Sequence, residues 1–197
     1  RILNFHDNLI LTDCDGVLLD WETHFHSWMQ SKGYDKLEVN TYDIHEQYPG
    51  MVKTEAKAHI REFNESAWMC CIPDFRDADF GVKNLARRSY QFTVITSLSK
   101  DPYAKKLRKQ NLENNFGSEP FNDLVCLDTG ADKNSALEPY RDSGLWWIED
   151  KWENAVVGAD MGLQSIIIDH AHNRDEYDPR IRRAANWSEI VKIVTEN

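Results

Sequence analysis

Two aspartates one residue apart, Asp13 and Asp15, close an apolar run in the stretch LILTDCDGVLLD, Leu9 to Asp20. Carboxylates at i and i+2 of an extended chain point to the same face, where they repel each other until a cation or a shared proton neutralises them. A hard divalent ion is the simplest remedy. Three further places carry polar groups just beyond an apolar run or at a helix start: Thr96 with Ser97 after Phe92 to Ile95, Lys133 at the head of a short helical stretch, and the acidic pair Glu149 and Asp150 after Gly144 to Ile148. Each has an ordinary use as a turn, a helix cap or a solvated side chain. Their common placement is what asks for another explanation.

The elements that would position them read as alternating strand and helix. Leu9 to Thr12 predicts a buried strand, followed by a helix from Trp21 to Lys32 with Phe25, Trp28 and Met29 at helical spacing. Residues 33–49 are polar and broken, Thr54 to Met69 returns to a helical period, and Pro73 closes a segment without a strong strand. From Asp77, a plausible N-cap for a helix carrying Phe80, Leu85 and Ala86, helices and strands alternate regularly. Asp101 followed by Pro102 starts a helix through Leu107 to about Asn114, and Asp123 to Leu127 reads as a strand. Lys133 to Tyr140 is a short helix, Trp152 to Ala159 another, Ser165 to Ile168 a fifth strand, and Trp187 to Val194 a final helix.

This order predicts an α/β fold: a Rossmann-like parallel five-stranded sheet with helices on both faces. In such sheets the carboxyl ends of the strands share one edge, so all four polar places converge there. The expected division is a core of residues 1–20 and 76–197 with a small helical cap, residues 21–75, inserted after the first strand.

Composition narrows the class. A chain of 197 residues with 41% hydrophobic content and seven Trp can fold around one core with an inserted subdomain. A net charge of -10 argues against duplex nucleic acid, which needs a basic face to displace counterions. The four cysteines, Cys14, Cys70, Cys71 and Cys126, lack metal-site spacing, and nothing reads as a membrane span or a charged-then-apolar leader. A reduced, cytoplasmic setting is the expectation.

The stretch from Leu9 to Asp20 resembles the first signature motif of the haloacid dehalogenase-like superfamily, and the later polar places follow the order of that superfamily's other motifs, from about Ile10 to Asp169. The insertion falls where the superfamily carries its cap. What the resemblance implies is phosphoryl transfer through an aspartyl-phosphate with bound Mg2+. Asp13 would be the nucleophile, Asp15 the acid and base, Thr96 a donor to the phosphoryl oxygens and Lys133 the positive charge beside phosphate and Asp13. Asp13, the backbone of Asp15, Glu149 and Asp150 would hold the metal, although the common pattern has Asp where this chain has Glu149.

Asp15 argues against the dehalogenases, which usually lack a second aspartate, and Cys14-Asp15-Gly16 against the ion-pumping ATPases, which carry Lys-Thr-Gly there. Phosphatase, phosphomutase and a phosphate-binding module without turnover remain. The insertion holds an unusual aromatic load, and either forms its own small core or offers a face on which a base can stack. Trp21, with Phe25 and Ser97, is expected at the substrate. An aromatic at a place like that of Trp21, and the stretch IDHAHNRDE, resemble the deoxyribonucleotidase branch of the superfamily. The expected substrate is a small phosphorylated metabolite such as a nucleoside monophosphate, with sugar phosphates and phosphorylated polynucleotide ends as the alternatives. His170 and His172 read as incidental or as lining the mouth of the site.

Overall fold

The computed structural model describes residues 7–196. The first six residues and the last one of the expected core lie outside them.

Six parallel strands form one sheet in the order β3-β2-β1-β4-β5-β6. They are β1 (Leu9–Thr12), β2 (Gln91–Ser97), β3 (Phe121–Leu127), β4 (Trp146–Glu149), β5 (Gln164–Ile168) and β6 (Arg182–Ala184). Both faces of the central strands are buried. Along β1, Ile10 packs into the main core with Phe92, Val94 and Ile148, whereas Leu9 and Leu11 pack with Ile95, Leu137 and Trp147 into a second. The helices α3 (Ala78–Arg87), α4 (Pro102–Phe116) and α7 (Trp187–Thr195) supply the first layer, and α5 (Asn134–Leu137) and the end of α6 (Trp152–Asp160) border the second.

The sheet has six strands where the sequence predicts five. The extra one, β6, reads Arg182-Arg183-Ala184 and carries no hydrophobic signal, because an edge strand is paired on one side only. Its arginines work sideways: Arg182 lies over the Trp146 ring at 5.6 Å, and Arg183 bonds Asp169 and Asn173. Two local expectations also differ. Asp77 does not bond the first turn of α3. It accepts instead from the backbone N–H groups of Trp187 and Ser188 and from the Ser188 hydroxyl, holding the start of α7 against α3. Phe80 faces outward at 52% exposure, so the inward face of α3 is made by Ala78, Gly81, Val82 and Leu85.

Between β1 and α3 the chain leaves the sheet for α1 (Trp21–Ser31), α2 (Lys53–Asn64) and two 3-10 turns, Ile44–Gln47 and Ala67–Cys71. Asp20 caps α1, its side chain accepting from the backbone of Thr23. Phe25, Trp28 and Phe63 interlock edge-on and tilted between the two helices. The outgoing and returning chains are themselves paired: Asp20 N–H donates to the Pro73 carbonyl and Phe75 N–H to the Leu18 carbonyl. Among the described residues no helix is long and apolar enough to cross a membrane.

Candidate active site

The sheet order reverses between β1 and β4, whose connections run in opposite directions from the centre. Parallel α/β sheets open a crevice at such a switch point, beyond the strands' carboxyl ends. Asp13 follows β1 and Asp150 follows β4, and the Asp13 N–H donates to the Ile148 carbonyl, carrying the ladder one residue past the strand. A cavity of about 390 Å3 opens here, lined by Asp13, Asp15, Thr96, Ser97, Lys133 and Asp150 from the core and by Trp21, Tyr42, His45 and Lys57 from the cap.

Lys133 Nζ lies 2.7 Å from Asp13 Oδ1 and donates to Glu149 Oε1 at 2.6 Å. Burial works against its ammonium charge, but Asp13 and Glu149 outweigh that and raise its pKa. Glu149 is fully buried and already satisfied: Oε1 also accepts from Asn154 Nδ2, and Oε2 from the backbone N–H groups of Asp150 and Lys151. Its carboxylate thus fixes Lys133 and the start of α6. Asp150 is different. Its Oδ1 is buried with no hydrogen-bond partner among the described residues. Burial, and then the neighbouring Asp13 charge, push its pKa well above the usual carboxylate range. The same two causes push Glu149 up to about 8.

Asp13, Glu149 and Asp150 can bring ligand oxygens within 4.8 Å of one another. With all three carboxylates ionised, the one ammonium of Lys133 would leave two negative charges uncompensated; the raised pKa values of Glu149 and Asp150 express that cost, and one divalent cation would remove it. An orphaned carboxylate oxygen in a set of hard oxygen donors fits Mg2+, and Asp13 with Asp150 are the pair free to hold it. Gly16 makes room: its φ is +75°, and a Cβ there would meet Asp150 Oδ2 at 2.5 Å.

Thr96 is buried, and its hydroxyl also has no partner among the described residues. Ser97, beside it, is committed, donating to the Ala131 carbonyl at 2.7 Å. On the cap side Trp21 borders the cavity, with Nε1 donating to Asn64 Oδ1 at 2.9 Å. Phe25 is fully buried and stacks on Trp21 at 4.6 Å and 9°, so it backs the indole and reaches the cavity only through it. His172 lines the wall 3.5 Å from Asp150 Oδ2, with Tyr42 edge-on to it, and His170 bonds the Gly16 carbonyl. Burial pushes the pKa of His170 down to about 4, which keeps its ring neutral.

One charged residue at the site escapes the motif reading. Arg108, fully buried on α4, grips both oxygens of Asp15 at 2.6 and 3.2 Å. Burial raises the Asp15 pKa and Arg108 opposes it. The available signal is helical period: Arg108 stands four residues from both Ala104 and Leu112, within the inward stripe.

Solved structures share this architecture. A haloacid dehalogenase-like family hydrolase from Streptococcus pneumoniae superposes with a TM-score of 0.66 at 16% identity, over 94% of this chain and 97% of that one. The chain has the haloacid dehalogenase-like fold. CbbY from Rhodobacter sphaeroides, solved in complex with phosphate, matches with a TM-score of 0.58 at 16% identity over 93% and 96% of the two chains. A predicted phosphoglycolate phosphatase from Haemophilus somnus matches at 0.63 and 12% identity, over 98% and 100%. No protein-family model and no curated protein matches the sequence.

Proposed function

We propose that the protein is a Mg2+-dependent phosphomonoester hydrolase that works through an aspartyl-phosphate on a small phosphorylated metabolite such as a nucleoside monophosphate. One observation carries the reading: in a single cavity, Asp13 is held by Lys133 while a buried Thr96 hydroxyl and a buried Asp150 oxygen have no hydrogen-bond partner among the described residues. Unsatisfied buried polar atoms are costly, and their convergence is accounted for by an anionic ligand and its counter-ion.

In the first step Asp13 attacks phosphorus, forming the acyl phosphate as the bond to the leaving oxygen breaks, and Asp15 supplies the proton that this oxygen takes. In the second, Asp15 removes a proton from water, whose oxygen attacks phosphorus, releasing inorganic phosphate and regenerating the Asp13 carboxylate. The Thr96 hydroxyl donates to a phosphoryl oxygen, and Lys133 keeps the Asp13 oxygen oriented and offsets charge spread over the phosphoryl group. Asp13, Asp150 and the Asp15 backbone would hold Mg2+, which when bound would supply electrostatic stabilisation of the phosphoryl oxygens. The cavity volume suits a small ligand under the cap, and Trp21, rigidified by Phe25 and Asn64, offers a flat apolar wall for a base.

Phosphate release tested across nucleoside monophosphates, sugar phosphates, phosphoglycolate and phosphorylated oligonucleotide ends, with Mg2+, decides the reading. Nucleoside monophosphates are expected to be cleaved best, and Asp13→Asn to lower turnover by several orders of magnitude while the fold survives. A variant that keeps about a tenth of the wild-type rate removes Asp13 from the mechanism.

A further inference from the structure

Arg108 puts a permanent charge where the helical pattern asks for an apolar side chain. Its neighbours on the inward face of α4 are Ala104, Leu107, Asn111 and Leu112, and no part of it reaches solvent. A guanidinium so buried is tolerated only against a well-matched anion, and both its terminal nitrogens are spent on the Asp15 carboxylate. Asp15 keeps 23% of its side chain exposed and borders the cavity. A planar fork that engages both oxygens fixes the plane of the carboxylate, leaving each oxygen a second lone pair for another partner.

We propose that Arg108 is a positioning residue for proton transfer: it sets the orientation in which Asp15 meets the leaving oxygen and the attacking water. The proposal rests on the reading of Asp15 as acid and base given above. Arg108 also links that orientation to the cap. Its Nη2 lies 4.0 Å from the sulfur of Met69, and Asn111 and Asn115 on the same helix both donate to the Ile72 carbonyl. Met69 and Ile72 belong to the chain returning from the cap, so α4 holds the proton-transfer group and the cap's return in one frame.

Leaving-group dependence separates this role from a purely structural ion pair. An alkoxide needs a proton to depart, whereas nitrophenolate leaves largely unaided. Arg108→Lys keeps the charge and loses the fork, and Arg108→Met keeps the stem and loses the charge. Each is made alone and with Asp15→Asn, and kcat/KM is measured on an alkyl phosphate and on p-nitrophenyl phosphate, with melting temperatures recorded.

General acid-base catalysis is worth about 10²- to 10⁴-fold. Arg108→Lys is expected to lose about 10- to 100-fold on the alkyl ester, a part of that range, and roughly tenfold less on the aryl ester, with no further loss when Asp15 is already Asn. Equal losses on both esters, or losses that multiply with Asp15→Asn, overturn the positioning role. If Arg108→Met fails to fold, the Lys variant alone decides by the same criteria. An Asp15→Asn enzyme that loses both esters equally overturns the acid-base reading itself, and the role of Arg108 with it.

Discussion

Replacing Thr96 by Val should make the protein more stable and less active. Other buried threonines around the site have partners: Thr12 donates to the Asp13 carbonyl, Thr129 to the Leu98 carbonyl, and Thr93 accepts from Asn122. Thr96, at 1% exposure on the end of β2, has none among the described residues. An unsatisfied buried polar group costs about 1–3 kcal/mol, which the methyl group of Val would relieve at nearly constant shape. For a chain of this size each kcal/mol moves the melting temperature by about 2–4 °C, so the ligand-free variant should melt roughly 2–12 °C higher. Activity should move the other way. A hydrogen bond to a charged group is worth about 1.5–3 kcal/mol, so kcat/KM should fall by roughly 10- to 150-fold. Scanning calorimetry without ligand and phosphate-release kinetics measure the two effects. A variant that melts lower and turns over normally would mean that the hydroxyl is satisfied within the fold, and would refute the assignment of Thr96 to the phosphoryl group.

For the metal, Mg2+ is expected to raise the melting temperature of the wild type and to leave that of Asp150→Asn almost unmoved, since an ion that binds only the folded state stabilises it by mass action; EDTA should abolish turnover, and full activity in excess chelator would exclude the metal. Trp21→Ala should raise KM for a nucleoside monophosphate by roughly 5- to 150-fold, the worth of one base stack, while p-nitrophenyl phosphate is largely spared; equal losses on both would reduce Trp21 to a packing residue. Asp77 gives an acid limb to stability. Burial opposes its ionisation, but the donors on Ser188 and Trp187 outweigh that and lower its pKa. A carboxylate whose folded pKa is depressed contributes its stability above the unfolded pKa, near 4, and loses it as pH falls through the folded one. Asp77→Ala should therefore cost about 0.5–2 kcal/mol at pH 7, and the gap between the two melting curves should close below about pH 4. A gap independent of pH would refute the ionic cap.

The parts of the site that sequence could reach share one property: each lies at or just past the end of a buried strand or at a helix start, where an abrupt change from apolar to polar is visible in one dimension. Asp13, Thr96 and Asp150 are of this kind, and the sheet carries them to one cavity. Sequence does not reveal which polar atoms are already spoken for. Ser97 stands next to Thr96 and yet is used by the Ala131 carbonyl, and Glu149 stands next to Asp150 and yet has every oxygen engaged. Arg108 and Asp77 act on residues far along the chain, Asp15 and Ser188, and no local spacing encodes such pairings. The strand β6 escaped for a related reason, since it is held by the ladder of β5 rather than by hydrophobic content of its own.

The hydrogen bonds that join Asp20 to Pro73 and Leu18 to Phe75 make the cap a pinched-off loop. For the sheet, the chain effectively runs from one side of this stalk to the other without a gap, whatever lies beyond it. Loop-closure entropy grows only with the logarithm of length, so segments of quite different size fit on the same stalk at nearly equal cost to the core. The segment beyond the stalk can therefore change in length without a matching change in the sheet. The stalk is also a natural graft point, provided that a foreign cap keeps the returning residues Met69 and Ile72, whose contacts with Arg108, Asn111 and Asn115 tie it to α4.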